Sequence, residues 1–118
     1  MTILLIDDDP EILHIAGYAL QKLGHRVVSA ATGAEAVDRV RTESLDVIVM
    51  DVVLPDIEAP ALLDVLRGSG AGATPIVLLT ARRTPDEASH PGVIGVIQKP
   101  FDPLALGNEI DRLIAGAP

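Results

Sequence analysis

An α/β fold built on one doubly wound, five-stranded parallel sheet is the class this sequence predicts. Three observations carry the prediction. Short apolar runs alternate with longer segments of helical periodicity along the chain. The runs at 3–6, 47–50 and 76–79 are continuously apolar, as in parallel strands buried on both faces. Two of these runs end directly on acids, the first on Asp7-Asp8-Asp9 and the second on Asp51.

The elements follow in order. Residues 3–6 form the first strand. Pro10 suits a first helical turn, and Asp9 before it is the N-cap. Ile12, Ile15, Ala16, Ala19, Leu20 and Leu23 mark one helical face, and Gly24 ends that helix. Val27-Val28 is the second strand. Thr32 caps the next helix with Glu35 at capping-box spacing, and Ala36, Val37 and Val40 form its apolar side. Residues 47–50 are the third strand. A loop around Leu54-Pro55-Asp56 leads to a helix at 61–66, closed by a glycine-rich turn at 68–72.

Residues 76–79 and 93–97 are the fourth and fifth strands, and 104–114 is a last amphipathic helix. Between Thr80 and Val93 only a short helix fits, starting near Pro85 with Thr84 as its cap. By analogy with flavodoxin-like doubly wound folds, the strand order is 2-1-3-4-5, with a shortened or irregular fourth helix. One domain spanning 1–118, with no output region, is expected.

Composition narrows the function. Hydrophobic residues make up 48% of the chain, enough for a sizeable core, yet Tyr18 and Phe101 are its only aromatics. A net charge of −8 and so few stacking platforms argue against a nucleic-acid or anionic-membrane partner. Cysteine is absent, which removes disulfide, zinc-thiolate and thiol-nucleophile chemistry. No signal-peptide pattern or membrane-length apolar run occurs, so a cytoplasmic location is expected.

In the order 2-1-3-4-5, strands 1 and 3 adjoin, and ligands collect at the carboxyl ends of such strands. Asp7, Asp8 and Asp51 then converge there. Carboxylates brought together repel unless a cation sits among them, and an all-oxygen donor set suits a hard ion such as Mg2+. Thr80 and Lys99 end two further strands. Each residue alone has a bland explanation as a cap, turn or loop residue. Together, acids, a hydroxyl and an ammonium would bind a metal, and an anion attached to one acid.

With these residues the chain resembles the receiver domains of two-component response regulators. The carriers are Asp7-Asp8, the Met50-Asp51-Val52-Val53-Leu54-Pro55 segment, Leu79-Thr80-Ala81 and Lys99-Pro100-Phe101, in the family's order and at similar spacings. The resemblance implies that Asp51 is the phosphoacceptor, taking a phosphoryl group from a histidine kinase or a histidine phosphotransfer protein. It implies Mg2+ held by Asp8, Asp51 and the backbone carbonyl of Val53, with Asp7 acting through water. Lys99 would reach the phosphoryl oxygens and Thr80 would hydrogen-bond one of them, near the Ala81 N–H. It further implies a cis Lys99-Pro100 bond, and partner docking on the first helix and the loop at Phe101-Asp102-Pro103. Asp9 is read as a cap, Asp56 and Glu58 as solvated loop residues, and His14, His25 and His90 as neither ligands nor phosphotransfer groups.

Three departures from the family pattern stand out. Val96 occupies a position where many receivers carry Tyr or Phe, so switching proceeds through the backbone near Thr80 rather than through a swinging ring. The stretch from Thr80 to Lys99 is short by about one helical turn, which curtails a common output and dimer surface. Val53 and Arg82, two residues past Asp51 and Thr80, imply slow loss of the acyl phosphate, because valine orients no water and arginine shields the group. Two other functions stay open. One is a phosphorylation-independent interaction module on the same fold. The other is an aspartate-nucleophile phosphatase, disfavoured because Val53 stands where such enzymes want a second acid.

Overall fold

The computed structural model describes residues 1–82 and 85–117. Its five strands are β1 (Thr2–Ile6), β2 (Arg26–Ala30), β3 (Val47–Asp51), β4 (Ile76–Thr80) and β5 (Val93–Gln98). They form one sheet in the order β2-β1-β3-β4-β5, every pairing parallel. The helices are α1 (Pro10–Lys22), α2 (Gly33–Thr42), α3 (Ala59–Leu66) and α4 (Pro103–Ala115). A 3-10 turn at Asp86–Ser89 stands where a fourth crossover helix was expected, so that helix is indeed shortened.

Side chains alternate across each strand, and the sheet therefore builds two cores. Leu4, Ile6, Ile48, Met50, Ile76 and Leu78 face α2 and α3, meeting Ala36, Val40, Leu62, Leu63 and Leu66. Ile3, Leu5, Val47, Val49, Val77 and Leu79 point the other way onto Ala16, Leu20, Leu106 and Ile110 of α1 and α4. With both faces covered, β1, β3 and β4 have no solvent side. That is why they read as unbroken apolar runs.

The caps expected at Asp9 and Thr32 form, with detail added. Asp9 accepts from the Glu11 N–H at 2.9 Å, and Thr32 accepts from the Glu35 N–H at 3.1 Å. The Glu35 carboxylate reaches back to the Ala31 N–H, one residue earlier than a simple capping box. Gly24 takes φ +90 just past α1, a left-handed conformation that a side chain would resist.

Several boundaries move. β2 runs through Ser29 and Ala30 rather than ending at Val28, because both pair with β1. The helix α3 begins at Ala59 with Pro60 in its first turn, two residues before the expected start. Its end is not a simple turn but a π-helical extension, Arg67–Ala71, broken at Gly70 (φ +115). Packing explains the extension: Arg67 donates to the carbonyls of Gly72, Thr74 and Pro91, and so ties the end of α3 to the approach to β5. α4 begins at Pro103, capped by Asp102 through the Leu104 N–H at 2.9 Å. The expected Thr84 cap lies outside the described residues. Pro85 precedes the 3-10 turn without a side-chain cap.

Candidate functional site

The sheet register places the site. Ile6 pairs with Met50, so Asp7 and Asp51, the next residues, leave adjacent strands at the same level. Asp51 pairs with Leu79, which sets Thr80 one step beyond; Thr80 in turn pairs with Gln98, which sets Lys99 one step beyond that. Four carboxyl-terminal strand ends thus bring their groups to one rim. The Asp7 N–H donates to the Ala30 carbonyl at 3.1 Å and extends the β1–β2 ladder by one residue. The Lys99 N–H does the same with the Thr80 carbonyl at 2.8 Å.

Asp7 and Asp51 are buried, at 2% and 8% exposure, whereas Asp8 faces solvent. One carboxylate oxygen from each of the three lies within 4.8 Å of the others. Between the buried two sits the Lys99 ammonium, donating to Asp7 Oδ2 at 2.7 Å and Asp51 Oδ2 at 3.0 Å. Their remaining oxygens accept backbone N–H groups: Asp9 donates to Asp7 Oδ1 at 2.9 Å and Val53 to Asp51 Oδ1 at 3.0 Å. Each buried charge is therefore paired and hydrogen-bonded, as burial requires.

Burial pushes the Asp7 carboxyl above the usual carboxylate range, even against its hydrogen bond from Lys99. The Lys99 ammonium is pulled down by burial, but its hydrogen bonds to Asp7 and Asp51 outweigh that and hold it above an ordinary lysine. Buried Thr80 accepts the Arg82 N–H at 3.1 Å through Oγ1, which leaves its own hydrogen free to donate elsewhere. The Lys99-Pro100 bond is cis, as expected.

Of the residues singled out from sequence, Asp7, Asp8, Asp51 and Lys99 are brought together, and Thr80 stands on the adjoining strand end. Val53 is two-thirds exposed on the loop leaving β3, and its N–H orients Asp51. Asp56 is an exposed loop acid, as expected, but it also has partners: its carboxylate accepts from the Gly33 N–H at 2.9 Å and the Ala34 N–H at 3.1 Å, capping α2 across the chain. The Gly33 N–H is the largest cause holding the Asp56 carboxyl below its usual range. A loop acid opposite a helix start is a long-range pairing, which local reading does not register. His90 also has a partner, Asp64 on α3, at 2.9 Å.

The family model for the response regulator receiver domain matches residues 3–111. The chain belongs to the receiver family. Among solved structures, the receiver is similar to the chemotaxis response regulator CheY4 of Vibrio cholerae, with 31% identity and a TM-score of 0.87 over 95% of this chain and 97% of that one. It is also similar to the receiver domain of sensor histidine kinase PA1611 from Pseudomonas aeruginosa PAO1, at 28% identity and a TM-score of 0.84 over 98% of each chain. That structure carries a magnesium ion in its active-site cleft.

Among curated proteins, the transcriptional regulatory protein GlrR of Escherichia coli K12 is 33% identical over 92% of this chain, which spans only 25% of its length. Protein PilH of Pseudomonas aeruginosa is 28% identical, covering 97% of this chain and 98% of its own. The receiver thus matches a quarter of a larger regulator and nearly the whole of a small one. Among the described residues, no helix is long and apolar enough to cross a membrane.

Proposed function

We propose that this receiver is a phosphoacceptor in which Asp51 takes a phosphoryl group from a phosphohistidine. The observation that carries the reading is the shared Lys99 ammonium, held between the buried carboxylates of Asp7 and Asp51 at the rim of the sheet. A phosphoryl group on Asp51 arrives beside a fixed positive charge.

The donor set fits Mg2+. Three carboxylates within reach of one another offer only hard oxygen ligands, and the exposed Asp8 leaves the group open to solvent. Asp7, Asp8 and Asp51, with the Val53 carbonyl, would hold the ion. Bound there, magnesium supplies charge compensation to phosphoryl oxygens.

In the transfer itself, an Asp51 carboxylate oxygen attacks phosphorus in line. The new O–P bond forms as the P–N bond of the phosphohistidine breaks, and its electron pair returns to the imidazole nitrogen. Lys99 offsets the charge on the equatorial oxygens, the main demand of this transition state. The Thr80 O–H donates to one phosphoryl oxygen. The Val53 N–H keeps the Asp51 carboxylate in one orientation during the attack. The domain is thus a signalling domain that assists its own modification, acting in the cytoplasm.

A docking surface for the histidine-bearing partner flanks the site. Ile15 and Tyr18 of α1, Leu23 just past its end and Leu104 of α4 form an exposed apolar strip. Such patches mark protein contacts. The strip borders the Phe101-Asp102-Pro103 loop, which leads directly from Lys99.

Incubation with a small acyl phosphate donor and magnesium, followed by intact mass and peptide mapping, tests the reading. One phosphoryl group on Asp51, lost in Asp51→Asn and when magnesium is withheld, is the expected result. An unmodified protein, or labelling that survives Asp51→Asn, overturns it.

A further inference from the structure

Beside Asp51 lies a cleft walled by Val52, Val53, Ile57, Glu58, Arg82 and Glu87. Arg82 is the only cation among the described residues lining it. Its guanidinium is already engaged: Nη2 lies 3.2 Å from both carboxylate oxygens of Glu87, in the 3-10 turn Asp86–Ser89. The two partners differ in surroundings. The Arg82 side chain is half exposed, at 53%, whereas that of Glu87 is at 10%. Arg82 is thus free to swing, and Glu87 is a nearly buried carboxylate that depends on it.

We propose that Arg82 exchanges Glu87 for the phosphoryl oxygens on Asp51, and that this exchange frees the Asp86–Ser89 turn. The inference rests on the phosphoacceptor reading above. Lys99 is already shared between Asp7 and Asp51. A phosphoryl group adds charge and acceptor oxygens that this one ammonium does not satisfy. A guanidinium offers several N–H donors in a fork suited to phosphoryl oxygens, and it binds them in preference to a single carboxylate contacted through one nitrogen. The Arg82 backbone is tied to the site already, because its N–H donates to Thr80 Oγ1. Thr80 moving toward a phosphoryl oxygen carries Arg82 with it.

The consequence falls on Glu87. Without Arg82, its carboxylate is left nearly buried and unpaired, a costly state. Apart from the covered Glu87 side chain, no residue of the turn that carries it is buried to hold it in place. It relaxes toward solvent. The half-buried Val96, on the β5 strand beside this turn, packs against the α2/α3 core and has no ring to relay motion. The ion-pair exchange provides the relay instead.

The test uses the whole chain with acetyl phosphate and magnesium. Three readouts are intact mass, acyl phosphate lifetime, and hydrogen–deuterium exchange of the Asp86–Ser89 amides. In the parent, phosphorylation speeds exchange in that turn. Glu87→Gln removes the competitor: exchange in the turn is fast before phosphorylation, and the lifetime lengthens about two- to fivefold, the range set by an ion pair of this exposure. Arg82→Gln shortens the lifetime by a similar factor, and phosphorylation no longer changes exchange in the turn.

Phosphorylation of Asp51 with unchanged exchange in the parent, or equal lifetimes in all three proteins, overturns the exchange while leaving the phosphoacceptor reading intact. Failure to label Asp51 at all overturns both.

Discussion

Replacing Lys99 by Met keeps the length and volume of the side chain and removes its charge. In the parent, the ammonium holds two carboxylates, Asp7 at 2.7 Å and Asp51 at 3.0 Å, whose side chains are 2% and 11% exposed. Removing one partner of a buried ion pair costs roughly 3–5 kcal/mol, because the remaining charge stays desolvated. Lys99 is partly exposed, so water that enters the vacated space recovers some of this; about 2–3 kcal/mol is the expected loss. For a chain of this size that lowers the thermal midpoint by about 8–12 °C.

The pH dependence follows from the signs of the shifts. The Asp7 carboxyl is raised by burial, so its protonation favours the fold: that contribution is present at low pH and fades as pH rises through its raised value. The Lys99 ammonium is also raised, so its contribution is present throughout the neutral range and is lost only as pH climbs past its raised value. Lys99→Met removes the second contribution and enlarges the first. Its deficit is therefore full above the raised value of the Asp7 carboxyl and shrinks as pH falls through it.

Urea unfolding of the magnesium-free protein at pH 8, 7 and 5 measures this. Lys22→Met serves as control, since that ammonium sits over the Tyr18 ring at 5.6 Å. The control should cost less than about 1 kcal/mol. A Lys99→Met deficit below about 0.5 kcal/mol, or one that does not change with pH, would refute the claim that Lys99 neutralises the buried pair.

Two further outcomes concern the loop after β3. Asp56→Asn removes an acceptor from the start of α2, so the thermal midpoint falls at neutral pH. Asp56 is held low by the Gly33 N–H, so its contribution is present above the usual carboxylate range and disappears as pH drops through its depressed value. The two proteins therefore converge in acid, and midpoints already equal at pH 7 would contradict the cap. Val53→Asn places an amide that can orient water on the exposed residue beside Asp51, and phosphate release from the acylated protein should quicken severalfold; a release assay showing no acceleration counts against Val53 as the reason for a long-lived acyl phosphate.

The chain's linear order determined the architecture because burial on both faces leaves a direct mark. β1, β3 and β4 are apolar over residues 3–6, 47–50 and 76–79 since helices cover the sheet on each side, and the acids that follow the first two runs interrupt that pattern where the core stops. Helix starts were legible where a short polar residue precedes proline, as at Asp9-Pro10. The same signal at Asp102-Pro103 marks the true start of α4, one residue ahead of the expected 104.

What local pattern does not contain is any pairing between distant segments. Asp56 meets Gly33 and His90 meets Asp64 only because crossovers bring those segments together. The π-helical end of α3 belongs to the same class, since Arg67 finds its carbonyl partners across a turn and on the approach to another strand. Composition and periodicity decide which groups reach the rim of the sheet. The fold alone decides how one lysine is shared between two acids, because hydrogen-bond geometry depends on separations in space that spacing along the chain does not encode.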